Sequence, residues 1–173
     1  AYETVTDGSG RLLLLAPMSA IAGDMAVVVG NYHLARVNGG KGMMLAWVLG
    51  ERFGKAVIIG DGVVGRHAAQ VATGMGAQVT VIGLDPQRGR ELRQQVSADL
   101  RYVLSTPATV AAEVADADLV VGAVLRVGAR APQVVTEAMV RRMQPGSVVV
   151  DVSIDQGGCI ATSHPTTPHD PCF

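Results

Sequence analysis

Aromatic residues are scarce in this 173-residue chain: Phe, Trp and Tyr together make up 3%. Its core must therefore come from Val, Ala, Leu and Ile, the composition of strands buried on both faces. Charge is also sparse, 17% against 49% hydrophobic, which excludes a disordered chain. Neither sign dominates: a net charge of −1 supplies no basic field, so nucleic acid is not an expected partner. No apolar run approaches the roughly 20 residues that span a bilayer, and no membrane partner is expected. There is no signal-peptide pattern, and Cys159 and Cys172 make no disulfide framework. The expectation is a cytoplasmic protein with one domain long enough to bury a real core.

A metal site is not expected either. Cys159, His164, His169 and Cys172 are spaced by 5, 5 and 3 residues, which fits no compact finger. Pro165, Pro168 and Pro171 lie among them and describe an extended loop.

What is present is concentrated between Lys55 and Asp85. Lys55-Ala56-Val57-Ile58-Ile59 reads as a buried strand, and Gly60-Asp61-Gly62-Val63-Val64-Gly65 is a G-x-G-x-x-G turn. An Ala-rich helix and a second strand, Gln78-Val79-Thr80-Val81-Ile82, follow. This order describes a pocket for the pyrophosphate of a dinucleotide. Gly60 permits the tight turn, Gly62 lets the backbone approach phosphate, and Gly65 lets helix and strand pack closely. Free N–H groups and the positive end of the helix dipole complete the anion site. Val63 and Val64, the x-x of the motif, are counted with the glycines as cofactor-binding residues.

From Lys55 onward strands alternate with helices. Strands are predicted at 56–60, 78–83, 101–104, 118–123 and 147–152; helices at 63–75, 86–97, 107–115 and 133–143. Such alternation means an α/β fold, a Rossmann-type doubly wound parallel sheet with helices on both faces. Five strands are visible where a full Rossmann sheet has six, so the last strand is expected beyond residue 173 and the chain is expected to be a piece of a larger protein. Upstream, the apolar run 11–15 ends at Pro17, and a helix with a wide apolar face is predicted from Met18 to Leu34. Met43 to Val48 is left open between helix and strand. Lys41 lies in a Gly-rich loop with no P-loop spacing, read as a loop near an interdomain hinge.

With these motifs placed, the chain resembles the nucleotide-binding domain of alanine dehydrogenases, a family related to the proton-translocating transhydrogenases. The resemblance rests on Leu15-Ala16-Pro17-Met18-Ser19 with Ala22-Gly23, on Gly39-Gly40-Lys41-Gly42, and on the glycine turn. It also rests on Gly122-Ala123-Val124-Leu125 with Ala129-Arg130-Ala131-Pro132, and on Pro145 to Asp151 running into Ile154-Asp155-Gln156-Gly157-Gly158-Cys159. The transhydrogenases carry a longer insertion after the second strand and lack the Ile-Asp-Gln-Gly-Gly wording, which favours the alanine dehydrogenase branch.

The resemblance implies an enzyme that oxidatively deaminates L-alanine to pyruvate and ammonia, passing hydride from the substrate Cα to NAD and then hydrolysing the imine. It implies an N-terminal domain, absent here, that supplies the substrate-binding Arg and Lys and the acid–base His. It divides the chain into a connection (1–16, with a strand-like remnant at 1–5), a dinucleotide-binding domain (17–158) and an extended C-terminal segment (159–173). This chain alone would then bind cofactor and turn over nothing, and would assemble as a homo-oligomer.

Site residues follow from the same resemblance. Asp155 would be catalytic, near the nicotinamide; its bland reading is a turn aspartate, and Asp151 reads as structural. Ser19, placed just before a helix, would meet a phosphate, or else serve as a plain N-cap. Val124 and Leu125 would pack on the ribose or nicotinamide, and Ser105 would touch the adenosine side. The family's NAD-specific members carry an acid at the tip of the second strand, where this chain has Gly83. Asp85 could substitute and preserve NAD; alternatively the missing carboxylate and Arg88 would admit the 2′-phosphate of NADP. Asp61, inside the turn, is expected to point to solvent. Two alternatives stand beside the enzyme: a non-catalytic or degenerate dinucleotide-binding module, and a transhydrogenase nucleotide domain.

Overall fold

The apolar, β-branched runs at 55–59, 78–83 and 119–122 form strands buried on two faces between helices, with less buried edge strands at 101–104 and 148–151. The computed structural model describes residues 5–8, 12–126, 128–167 and 169–173; residues 1–4 of the expected remnant, Arg11 of the first apolar run and Pro168 lie outside them. Five helices are described: α1 (Leu15–Leu34), α2 (Val63–Met75), α3 (Pro86–Gln95), α4 (Pro107–Ala115) and α5 (Glu137–Val140). The strands are β1 (Ala46–Val48), β2 (Glu51–Phe53), β3 (Lys55–Ile59), β4 (Gln78–Gly83), β5 (Arg101–Leu104), β6 (Leu119–Gly122) and β7 (Val148–Asp151). The last five make one parallel sheet in the order β5-β4-β3-β6-β7.

Strand alternation sorts the core into two layers. Ala56 and Ile58 face one cluster, which holds Ala26 and Val27 of α1, Ala68 and Ala72 of α2, and Leu92 of α3. Val57 and Ile59 face the other, with Val110 and Val114 of α4 and Val135. The sheet is thus wound on both faces, as expected.

Helix α1 packs on α2 through a glycine: a Cβ on Gly23 would collide with the Val64 carbonyl oxygen. Gly30 does the same against the Leu119 side chain, so β6 also approaches closely. The helix begins at Leu15, not after Pro17. Pro17 falls in the first turn, where its missing N–H has no intrahelical partner to lose.

One stretch left open is resolved, and one further expectation changes. Residues 43–48 belong in part to a β1–β2 hairpin, closed by Leu49 and Gly50 with φ of 52° and 89°. Both central residues are left-handed, the condition for a type I′ turn. The helix predicted over 133–143 shrinks to α5, because Val135 bridges to Ile160 and the N–H groups of Val134 and Val135 donate to the Cys159 carbonyl. Thr136 then caps what remains.

Candidate functional site

The glycine turn sits at the carboxyl end of β3, where the chain crosses to β4 on one side and, later, to β6 on the other. That is the switch point at which open α/β sheets bind ligands. Gly60 has φ 114°, and a Cβ there would strike the Ala123 carbonyl oxygen just past β6. A Cβ on Gly65 would strike the carbonyl oxygen of Gly60. Gly62 differs: it is the N-cap residue just before α2, and nothing lies within 4 Å of a Cβ built on it. The backbone there is open to a ligand, and Val63 and Val64 follow in the first helical turn, whose N–H groups lack intrahelical acceptors.

A cleft of about 210 Å³ opens beside this turn, lined by Ser19, Val64, Val124, Leu125, Ser153 and Asp155 among others. Ser19 is the fifth residue of α1 and does not cap it, which removes the bland reading. Val124 and Leu125 follow β6, and the buried Ser153 Oγ donates to the Val124 carbonyl at 2.8 Å. Asp155 is exposed on a single 3₁₀ turn, Ile154–Gln156, directly after β7. Among the lining residues Asp155 alone is ionisable. Gln156 also lines the cleft, and its Oε1 is buried without a hydrogen-bond partner.

The loop that presents Asp155 hangs on Asp151, whose carboxylate accepts from the N–H groups of Ser153 (3.0 Å), Cys159 (2.9 Å) and Ile160 (3.0 Å). Asp151 is structural, as read from the sequence. Burial, and then the Asp151 charge, push the Cys159 thiol up to about 12.

The carboxyl end of β4 is where the sequence reading is corrected. Asp61 does not point to solvent. Its Oδ2 accepts from the Tyr102 hydroxyl at 2.7 Å, and a Cβ on Gly83 would collide with both groups. The Asp85 carboxylate instead caps α3, accepting from Gln87 N–H at 2.8 Å, while its own N–H donates to the Tyr102 oxygen at 3.2 Å. Arg88 Nη1 lies 3.4 Å from the Asp61 carbonyl, and Ser105 N–H donates to the Gly83 carbonyl at 2.8 Å. Arg88, Ser105 and Asp85 are thus brought to the end of β4, away from the cleft that holds Ser19 and Asp155. Tyr102 and Ser153 were not picked out from the sequence. The only signal for Tyr102 was the pair of small residues under it, Gly83 and Gly89.

A larger concavity, about 400 Å³, lies at the amino ends of β3, β4 and β5 and is lined by Arg52, Lys55, Asp99 and Arg101. Its charges are tied in pairs such as Arg52–Asp99 and Arg101–Glu113, and it is at the wrong end of the sheet for this chemistry. Lys41 is anchored near that end too, donating to Asp118 (2.5 Å) and Gln144 (2.6 Å). The four Cys and His residues of the tail do not converge: Cys159 is buried, Cys172 contacts His33 and His164 stacks on Phe173. Among the described residues no group of three or more His, Cys, Asp or Glu could hold a metal.

The C-terminal domain described as "Alanine dehydrogenase/PNT" matches residues 26–173. This chain belongs to the alanine dehydrogenase/PNT family. It carries the family's C-terminal domain, an NAD-binding Rossmann-type fold. The alanine dehydrogenase of Bacillus subtilis is 50% identical over 170 residues, 98% of this chain and 45% of its own length. That of Mycobacterium tuberculosis is 45% identical over the whole chain and 47% of its own length. A solved L-alanine dehydrogenase superposes with a TM-score of 0.94 at 44% identity, covering all of this chain and 48% of its own. A transhydrogenase from Sinorhizobium meliloti follows at 0.71 and 28%, covering 87% and 44%. The chain spans about half the length of the curated alanine dehydrogenases it matches.

Proposed function

We propose that this chain is the cofactor-holding half of an NAD-dependent alanine dehydrogenase. The observation that carries it is the cradle at the switch point: Gly60 and Gly65 have no room for a side chain, while Gly62 faces open space. A pyrophosphate at the first turn of α2 would meet its N–H groups. The partnerless Gln156 Oε1 is an acceptor that a carboxamide N–H would satisfy. The residues therefore fit NAD, which when bound supplies the hydride acceptor.

The protein's part is positioning. Ser19 offers its hydroxyl to a phosphate, Val124 and Leu125 give an apolar wall, and Asp155 places one carboxylate at the mouth of the cleft. Substrate binding needs cations that the lining residues do not include, and we assign these, with the acid–base His, to an N-terminal domain. On this reading residues 17–158 hold cofactor, and the chain alone is inactive on L-alanine. Identity of 44–50% to alanine dehydrogenases, against 28% to the transhydrogenase, favours the dehydrogenase branch. Cytoplasmic residence accords with it; no helix among the described residues is long and apolar enough to cross a membrane.

The test joins this chain to the N-terminal half of the Bacillus subtilis relative and follows NAD reduction by L-alanine. Turnover by the chimera, none by the chain alone, and a roughly tenfold to hundredfold lower kcat with Asp155→Asn support the proposal. A folded chimera that binds NADH yet ignores L-alanine overturns it.

A further inference from the structure

In dinucleotide-binding folds a carboxylate about 20 residues beyond the glycine turn, at the end of the next strand, reads the ribose 2′-hydroxyl. Here that strand, β4, ends in Gly83 and offers no side chain. Yet the space over Gly83 already holds a carboxylate, because a Cβ there would collide with Asp61 Oδ2. Asp61 comes from inside the glycine turn and is turned toward β4 by the Tyr102 hydroxyl, 2.7 Å away. The Tyr102 ring reaches this point across Gly89, where a Cβ would lie 2.6 Å from the ring. Burial, followed by the Asp61 hydrogen bond, raises the Tyr102 phenol above its ordinary value, so it stays a donor. The obvious substitute, Asp85, turns its Oδ1 to the α3 cap.

We propose that Asp61, held by Tyr102 over the end of β4, is the residue that selects NAD(H) over NADP(H). The inference rests on the cofactor reading above. The acid is moved from the strand tip into the turn, and Gly83 is glycine because the relocated carboxylate and the tyrosine hydroxyl fill its side-chain space. A carboxylate there accepts from ribose hydroxyls and repels a 2′-phosphate, despite Arg88 beside it. Tyr102 is a positioning residue; Asp61 is the one that meets the ribose.

The test is fluorescence titration of this chain with NADH and with NADPH, for wild type, Asp61→Asn, Asp61→Ala, Tyr102→Phe and Asp85→Asn, with melting curves for each. Asp61→Asn keeps the shape and so guards against misfolding in the alanine variant. We expect wild type to favour NADH by about tenfold or more, the scale of one charge-assisted hydrogen bond. Both Asp61 variants should cut that ratio about tenfold, Tyr102→Phe should cut it partly, and Asp85→Asn should leave it alone. A ratio unmoved by the Asp61 variants, or moved by Asp85→Asn instead, overturns the inference while leaving the cofactor reading intact. Equal wild-type affinity for the two nucleotides also overturns it. If folded wild type binds neither, the cofactor reading fails and takes this inference with it.

Discussion

Gly65 lies against Gly60 so closely that a first side-chain carbon on Gly65 would collide with the Gly60 carbonyl oxygen. The contact fixes the angle at which α2 leaves β3, and so the direction in which its N–H groups point. Gly65→Ala must move backbone on one side or the other. We expect a loss of about 2–4 kcal/mol in chemical denaturation, the scale of a strained overpacked site, with NADH binding abolished. Wild-type stability in this variant would mean that the turn is looser than described.

Asp151 gathers three N–H donors onto one carboxylate, and all three, on Ser153, Cys159 and Ile160, belong to buried residues. Asp151→Ala leaves those donors without acceptors. The expected cost is about 2–4 kcal/mol in urea unfolding. Because the same loop carries Asp155, proteolysis between residues 152 and 160 should accelerate as well.

The fold was legible where local and long-range preferences agree. Strand β4, strand β5 and helix α4 match the sequence expectation end for end; the unbroken β-branched run Val79-Thr80-Val81-Ile82 and Pro107 at a helix start leave few alternatives in β4 and α4. The β1–β2 hairpin was not legible, because its turn puts Leu49 at φ 52°, a conformation no rule assigns to leucine. Helix α5 was overread, because the pairing of Val135 with Ile160 is made by residues 25 positions apart. At the site, the three glycines were readable from spacing alone. The direction of the Asp61 side chain was not: it depends on a tyrosine hydroxyl contributed by β5, 41 residues away.

The two thiols should behave oppositely. Cys159 is fully buried and its thiol is pushed up to about 12, whereas Cys172 is exposed. A thiol reagent at pH 8 should modify one cysteine quickly and the second only on unfolding. The sign of the stability effect follows. The folded-state value lies above the ordinary 9.0, so the unfolded chain loses this proton first as pH rises. Stability from this group is therefore complete below pH 9 and is lost between 9 and about 12. The raised Tyr102 phenol adds to the same alkaline loss. Denaturation curves from pH 7 to 11 check it.

Helix α1 is apolar on both sides. Its inner face buries Gly23, Val27 and Gly30, yet Ile21 is 64% exposed, Met25 50% and Tyr32 62%. A homo-oligomer, proposed here only because the family resemblance implies one, would use this outer face as the contact between copies. Ile21→Asp with Met25→Lys should give a monomer in light scattering, with folding stability changed by about 0.5 kcal/mol or less. A wild-type chain that is already monomeric at working concentration contradicts this assignment.

Calorimetric titration of this chain with NADH shows whether the switch-point cleft holds NAD(H). One saturable site per chain is expected, with heat that disappears in the Gly65→Ala variant. A wild-type chain that melts cooperatively yet gives no binding heat at any temperature tried, and no change in NADH fluorescence, would contradict it.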